Sequence, residues 1–128
     1  MSDKISITQN GARKELFMSF GLLNELCGIV QSPEGVAFIT LDAFMRAAIL
    51  KSVLSERTED GMIEKEVNLN TLDVPVEDIE RVLAWVEDRV MSFFMNALQR
   101  LKSVQDKYKG MVPVPPENST PSSTGTGA

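Results

Sequence analysis

The sequence predicts a mainly α fold: a small helical domain closing on one long C-terminal helix, with a short N-terminal β-hairpin before it and a disordered C-terminal tail after it. Three observations carry this. Residues 75–108 contain no Gly and, after Pro75, no Pro, and their apolar residues keep a 3.6-residue period. Residues 42–54 are apolar on nearly every side of a helix. At residues 111–128 the composition changes abruptly to Pro, Ser, Thr and Gly with Glu117 as the one charge, too little apolar surface to offset the cost of ordering. The domain is therefore read as residues 1–110 and the tail as 111–128.

Taken in chain order, residues 5–8 alternate apolar and polar, Asn10-Gly11 suits a tight turn with positive φ, and residues 14–18 suit a returning strand; a helix reaching backwards through this segment is the competing reading. Residues 17–30 make a broad helical face from Leu22, Leu23, Leu26, Cys27, Ile29 and Val30. Gly21 and Gly28 weaken that helix in isolation and are expected to admit a close neighbouring backbone. Ser32-Pro33-Glu34 reads as a cap, a first-position Pro and a first-turn acid, hence a short helix start. Residues 36–41 suit helix or strand. In residues 42–54 only Asp42, Arg46, Lys51 and Ser52 interrupt the apolar run, so this helix is expected to be the hub of the core.

Residues 55–73 are polar and acidic, with a turn at Asp60-Gly61. A solvated surface loop is expected here rather than an interaction element, and the alternating Asp/Asn ligands of a calcium loop are missing. The long helix follows, with Asp73 as cap, Pro75 in the first turn, and Glu77, Asp78 and Glu80 at the positive end of its dipole. Lys102, Lys107 and Lys109 lie near the negative end, and Gly110 is placed to stop it. At 1.5 Å per residue it spans about 50 Å, more than the ~30 Å of a small domain, so part of it is expected to reach beyond the globule.

Its main stripe runs through Ile79, Val82, Leu83, Val86, Val90, Phe93, Phe94, Ala97, Leu101, Val104 and Tyr108. Met91, Met95 and Leu98 form a second ridge about 100° round the helix. Trp85 points away from the main stripe among Asp78, Arg81, Ser92 and Asn96; it is either an interface anchor or covered by a preceding segment that folds back. Trp85, Met91, Met95 and Leu98 are the candidate protein-binding residues, because Met-rich surfaces deform to accept many partners.

The formal net charge of −5 argues against nucleic acid or an anionic membrane as partner. There is no His, the commonest general base and metal ligand, and a single Cys, Cys27, which cannot build a zinc site alone and fits a reducing compartment. No phosphate-binding loop occurs, and no apolar run reaches the ~20 residues that span a bilayer. A soluble, non-enzymatic, cytoplasmic protein with no catalytic residues, metal or cofactor is expected.

Residues 14–26, KELFMSFGLLNEL, and residues 85–94, WVEDRVMSFF, together resemble the N-terminal signature and the Trp-Val…Phe-Phe helix of tail assembly chaperones from long-tailed, non-contractile (lambda-like, siphovirus-type) phages. The resemblance spans roughly residues 14–101. It implies a mostly helical protein needed to build the tail in the host cell cytoplasm and absent from the mature virion. It implies binding to the tape measure protein and tail tube subunits, and self-assembly into a homo-oligomeric ring or spiral. It also implies that this chain is the short product of a gene whose programmed ribosomal frameshift yields a longer form. The alternative reading of the residues is a helical adaptor or regulatory module with a disordered tail.

Overall fold

The computed structural model describes residues 2–109, and the chain divides into two units, Met1–Met95 and Asn96–Ala128. The segment read as a disordered tail and the expected stop at Gly110 lie outside the described residues. The first unit opens with the hairpin of β1 (Lys4–Gln9) and β2 (Ala12–Phe17), paired antiparallel from Gln9↔Ala12 to Lys4↔Phe17. Asn10 and Gly11 both have positive φ, 55° and 77°, as a two-residue turn with the twist of a hairpin requires. Ile5, Ile7 and Leu16 share the inward face with Lys14, whose Nζ reaches the carbonyl of Leu54 at 3.4 Å.

Helix thus begins only at α1 (Phe20–Val30), where the Ser19 hydroxyl accepts from the Leu22 N–H at 3.1 Å. Leu26 and Val30 are buried, but Gly21 and Gly28 face open space: a Cβ at Gly28 would meet nothing within 4 Å. The close approach expected at those glycines is instead at Gly35, in the 3-10 turn Pro33–Ala37, where a Cβ would collide with the Val30 carbonyl and sit 3.1 Å from Val30 Cγ1.

The ambiguous stretch that follows is helical. It passes into α2 (Phe38–Leu41) and, across Asp42, into α3 (Ala43–Leu54). Asp42 is extended (φ −94°, ψ 117°), which breaks the chain into two helices, and its carboxylate accepts from the N–H groups of Phe44 (2.8 Å) and Met45 (3.1 Å). The hub expectation holds for half of α3 only. Ile49, Leu50, Val53 and Leu54 are buried, whereas Phe44 in the first turn is 90% exposed. Met45 in the same turn packs against the core, so it is the Phe44 side of this end of the helix that stays open.

Residues 55–73 are more ordered than a plain solvated loop. β3 (Glu56–Arg57) pairs antiparallel with β4 (Ile63–Lys65), and a 3-10 turn follows at Leu69–Thr71. Arg57 holds this segment down. Its guanidinium donates to Glu25 Oε2 at 2.9 Å and Oε1 at 3.3 Å, to the Ser52 carbonyl at 2.7 Å and to the Gly61 carbonyl at 2.7 Å. The Ser52 hydroxyl donates to the same Glu25 carboxylate, so α1, α3 and the small hairpin meet on one charged fork. The Arg57 guanidinium holds the Glu25 carboxyl below the ordinary glutamate value, against the opposing effect of desolvation. The buried Ser55 hydroxyl accepts from the Val67 N–H at 3.0 Å and secures the far side.

The last helix is α4 (Val76–Tyr108). Its first turn closes on Pro75, whose carbonyl accepts from Asp78 (2.9 Å) and Ile79 (3.0 Å). Asp73 is not the cap; its carbonyl accepts from the Asn10 N–H at 2.9 Å and ties the hairpin turn to the start of the helix. Val82, Leu83, Val86 and Val90 join the hairpin, α1 and α3 in one core. No helix among the described residues is long and apolar enough to cross a membrane.

Trp85 is also core, with 0% exposure. The reason lies in β1. In this register the backbone groups of Lys4, Ser6 and Thr8 point away from β2. The helix answers Thr8, Ser6 and, just ahead of the strand, Ser2 along one face: Asp78 Oδ2 accepts from the Thr8 N–H (2.9 Å), Arg81 donates to the Ser6 carbonyl (2.9 Å), and Trp85 Nε1–H donates to the Ser2 carbonyl (2.8 Å). Arg89 continues the row with an ion pair to Asp3 at 3.1 Å.

Three outcomes are expected. Trp85→Phe loses the bond to Ser2 and leaves part of the indole's space empty, costing about 2 kcal/mol of unfolding free energy, while Trp85→Ala costs about 3–5 kcal/mol; urea titration followed by circular dichroism measures both. Gly35→Ala lowers stability by about 1–3 kcal/mol because the Val30 carbonyl cannot give way, and an unchanged midpoint would contradict the close approach. Because the Glu25 carboxyl is held low in the folded state, its contribution is complete above about pH 4.3, the ordinary glutamate value. It is lost as pH falls through the lower folded value. Glu25→Gln should therefore flatten the pH dependence of stability in that acidic interval and leave its slope at neutral pH unchanged.

Candidate protein-interaction surfaces

The four candidate binding residues do not form one exposed patch. Trp85 is sealed under the N-terminal residues, its indole N–H donating to the Ser2 carbonyl just ahead of β1, so it is withdrawn as a surface anchor. Met91 is half-buried and packs on the core beside Phe94. Met95, the last residue of the first unit, is 40% exposed. Leu98 belongs to the second unit and is 49% exposed. Of the ridge read from the sequence, Met95 and Leu98 are accessible.

In the first unit the larger apolar exposure was not foreseen. Phe38, Leu41 and Phe44 are open to solvent around the Asp42 break, and Phe17 and Phe20 flank the Ser19 cap. Both groups sit where a capping residue turns the backbone. The cap requires its neighbours to take up a helix terminus, and side chains at a terminus have fewer covering elements than those in mid-helix. The sequence signal was present in the caps themselves: an aromatic residue within two positions of Asp42 or Ser19 lies at an element boundary, not at its centre. An open groove of about 480 Å³ also runs between β1 and α4, edged by Lys4, Glu15 and Arg81, with Ile5 and Ala84 along it. Its charges are mixed, and Arg81 is engaged with Ser6 and, at 3.2 Å, with Asp78.

The described part of the second unit is the rest of α4. Leu98, Leu101, Val104 and Tyr108 are each about half exposed. Leu101, Val104 and Tyr108 continue the stripe that Val82, Leu83, Val86 and Val90 bury in the first unit, so the period of the sequence persists where no packed partner is present among the described residues. Lys107 Nζ lies 5.8 Å from the Tyr108 ring centre.

The Cys27 thiol is half-buried and burial pushes its pKa up, which keeps it protonated and weakly nucleophilic. Compared with models of known protein families, with characterised proteins and with solved structures, the chain matches none.

Proposed function

We propose that this chain is a non-enzymatic tail assembly chaperone of a long-tailed, non-contractile phage. It binds the tape measure protein and tail tube subunits in the host cytoplasm during tail building and leaves before the virion is complete. The observation that carries this reading is the run of half-exposed apolar side chains on α4, Leu98, Leu101, Val104 and Tyr108, at helical spacing. Such a stripe is built to cover the apolar stripe of another helix, and a long helical client needs that cover until its permanent partners surround it. The motif resemblance at residues 14–26 and 85–94 supports the same assignment, with self-association into a ring or spiral and a longer frameshifted product as its further consequences.

The test is size exclusion with light scattering on the full chain, over a concentration series, with and without a co-expressed helical tape measure fragment. A stable complex is expected. Met95→Asp and Leu98→Asp, made singly, should each weaken it without loss of helical circular dichroism. A chain that ignores the fragment at every concentration would sink the chaperone reading and leave the adaptor. Loss of helical signal in Met95→Asp would show that Met95 supports the core instead of the client.

A further inference from the structure

Within the second unit, Ala97, Leu101, Val104 and Tyr108 follow one another at spacings of four, three and four residues, the alternation of a two-helix seam. Leu101, Val104 and Tyr108 are exposed, and Ala97 is partly so. The charged residues at the positions that flank this seam are of one sign. Of the 13 cations in a chain of net charge −5, Arg100, Lys102, Lys107 and Lys109 fall here, against Asp106 alone. In seam terms Arg100 and Lys107 occupy the flanking positions directly before Leu101 and Tyr108, where charges choose a partner. Complementarity with the negative end of the helix dipole accounts for Lys107, in the last turn, and Lys109, just beyond it. It does not reach Arg100 or Lys102. All four cations are exposed, and none takes part in an ion pair among the described residues.

We infer that this stretch of α4 is a recognition seam for one amphipathic helix of another protein, a helix whose apolar stripe is flanked by Asp and Glu. The inference rests on the proposed chaperone role and names the chemistry of the client segment. A second copy of the same seam is disfavoured, since an antiparallel pairing sets Arg100 and Lys107 against their own counterparts and a parallel one aligns two basic helices. An anionic membrane is disfavoured as well. The apolar face is a narrow seam lacking Trp and Phe, and the chain as a whole is acidic.

The test uses the full chain and two fluorescent helical peptides of about four heptads with identical Leu seams, one flanked by Glu and the other by Lys. Like-charged flanks keep each peptide from pairing with itself. The Glu peptide should bind about tenfold more tightly than the Lys peptide at low salt, and the preference should collapse near ~0.5 M NaCl, where screening shortens to a few Å. Arg100→Glu with Lys107→Glu should invert the preference, and Leu101→Asp with Val104→Asp should abolish binding of both, with helical signal retained in each variant. Equal binding of the two peptides, an unchanged preference in the charge-reversed variant, self-association through the seam, or stronger retention on phosphatidylserine vesicles than on the Glu peptide would each overturn the inference. A tape measure complex that survives Arg100→Glu with Lys107→Glu would overturn this inference alone. Selective capture of the Glu peptide by a chain that ignores the tape measure fragment would overturn the chaperone reading alone.

Discussion

A two-stranded hairpin on its own is marginal in water, because its outer edges leave backbone groups unpaired and one face has nothing to cover it. In this protein α4 supplies what the hairpin lacks. Asp78, Arg81 and Trp85 meet the outward backbone groups of Thr8, Ser6 and Ser2, and Arg89 pairs with Asp3, in a row at helical spacing. Ser2 completes the edge by accepting from the Lys4 N–H and donating to the Lys4 carbonyl through one hydroxyl. The residues joined are 70 to 83 positions apart, so the row closes a long stretch of chain. It also sets the rotation of α4 about its axis, because Val82, Leu83, Val86 and Val90 can face α1 and α3 only if the polar row faces β1.

The same economy governs the acidic segment. Six acids in residues 55–73 would repel one another and favour an open loop, yet Arg57 finds partners from three elements: the Glu25 carboxylate, the Ser52 carbonyl and the Gly61 carbonyl. A planar donor fork can satisfy several acceptors at once, which an ammonium at this position could not do with the same geometry. Because Ser52 donates to Glu25 as well, the site links the closing turn of α3 to the middle of α1 without a wholly buried charge. That arrangement lets an otherwise unfavourable composition lie down on the core.

Much of this architecture was legible in the residues. The hairpin followed from its alternation and Asn10-Gly11, α3 from Asp42 and its apolar run, and the long helix from its uninterrupted stripe. What periodicity does not encode is which face acquires a neighbour. Trp85 lies among Asp78 and Arg81, which reads as a polar surface until the edge of β1 arrives to use all three. Phe44 lies in an apolar run, which reads as core although its side chain stays uncovered beside Met45, which packs inward. The glycines teach the same lesson: Gly21 and Gly28 sit in a helix and accommodate nothing, whereas Gly35, in a short 3-10 turn, is where the Val30 carbonyl comes close. Of the four candidate residues, Met95 and Leu98 are accessible, whereas Met91 is half-buried and Trp85 lies under a preceding segment, the second of the two readings its position allowed.

A stripe of constant period with a change in the charges beside it is more informative than either feature alone. Where the stripe of α4 is buried, at Val82 to Val90, the polar positions alongside are Asp78, Arg81, Glu87 and Arg89, of both signs, and each has a partner within the unit: Thr8, Ser6, Thr40 and Asp3. Where the stripe is exposed, at Leu101, Val104 and Tyr108, the flanks are almost wholly basic. Arg100 and Lys107 have no charged neighbour three or four residues away within the described helix, so neither supports the helix through a pair along its own surface. Cations that form no pair along their own helix, set beside an exposed seam, are where an acidic partner helix would be read.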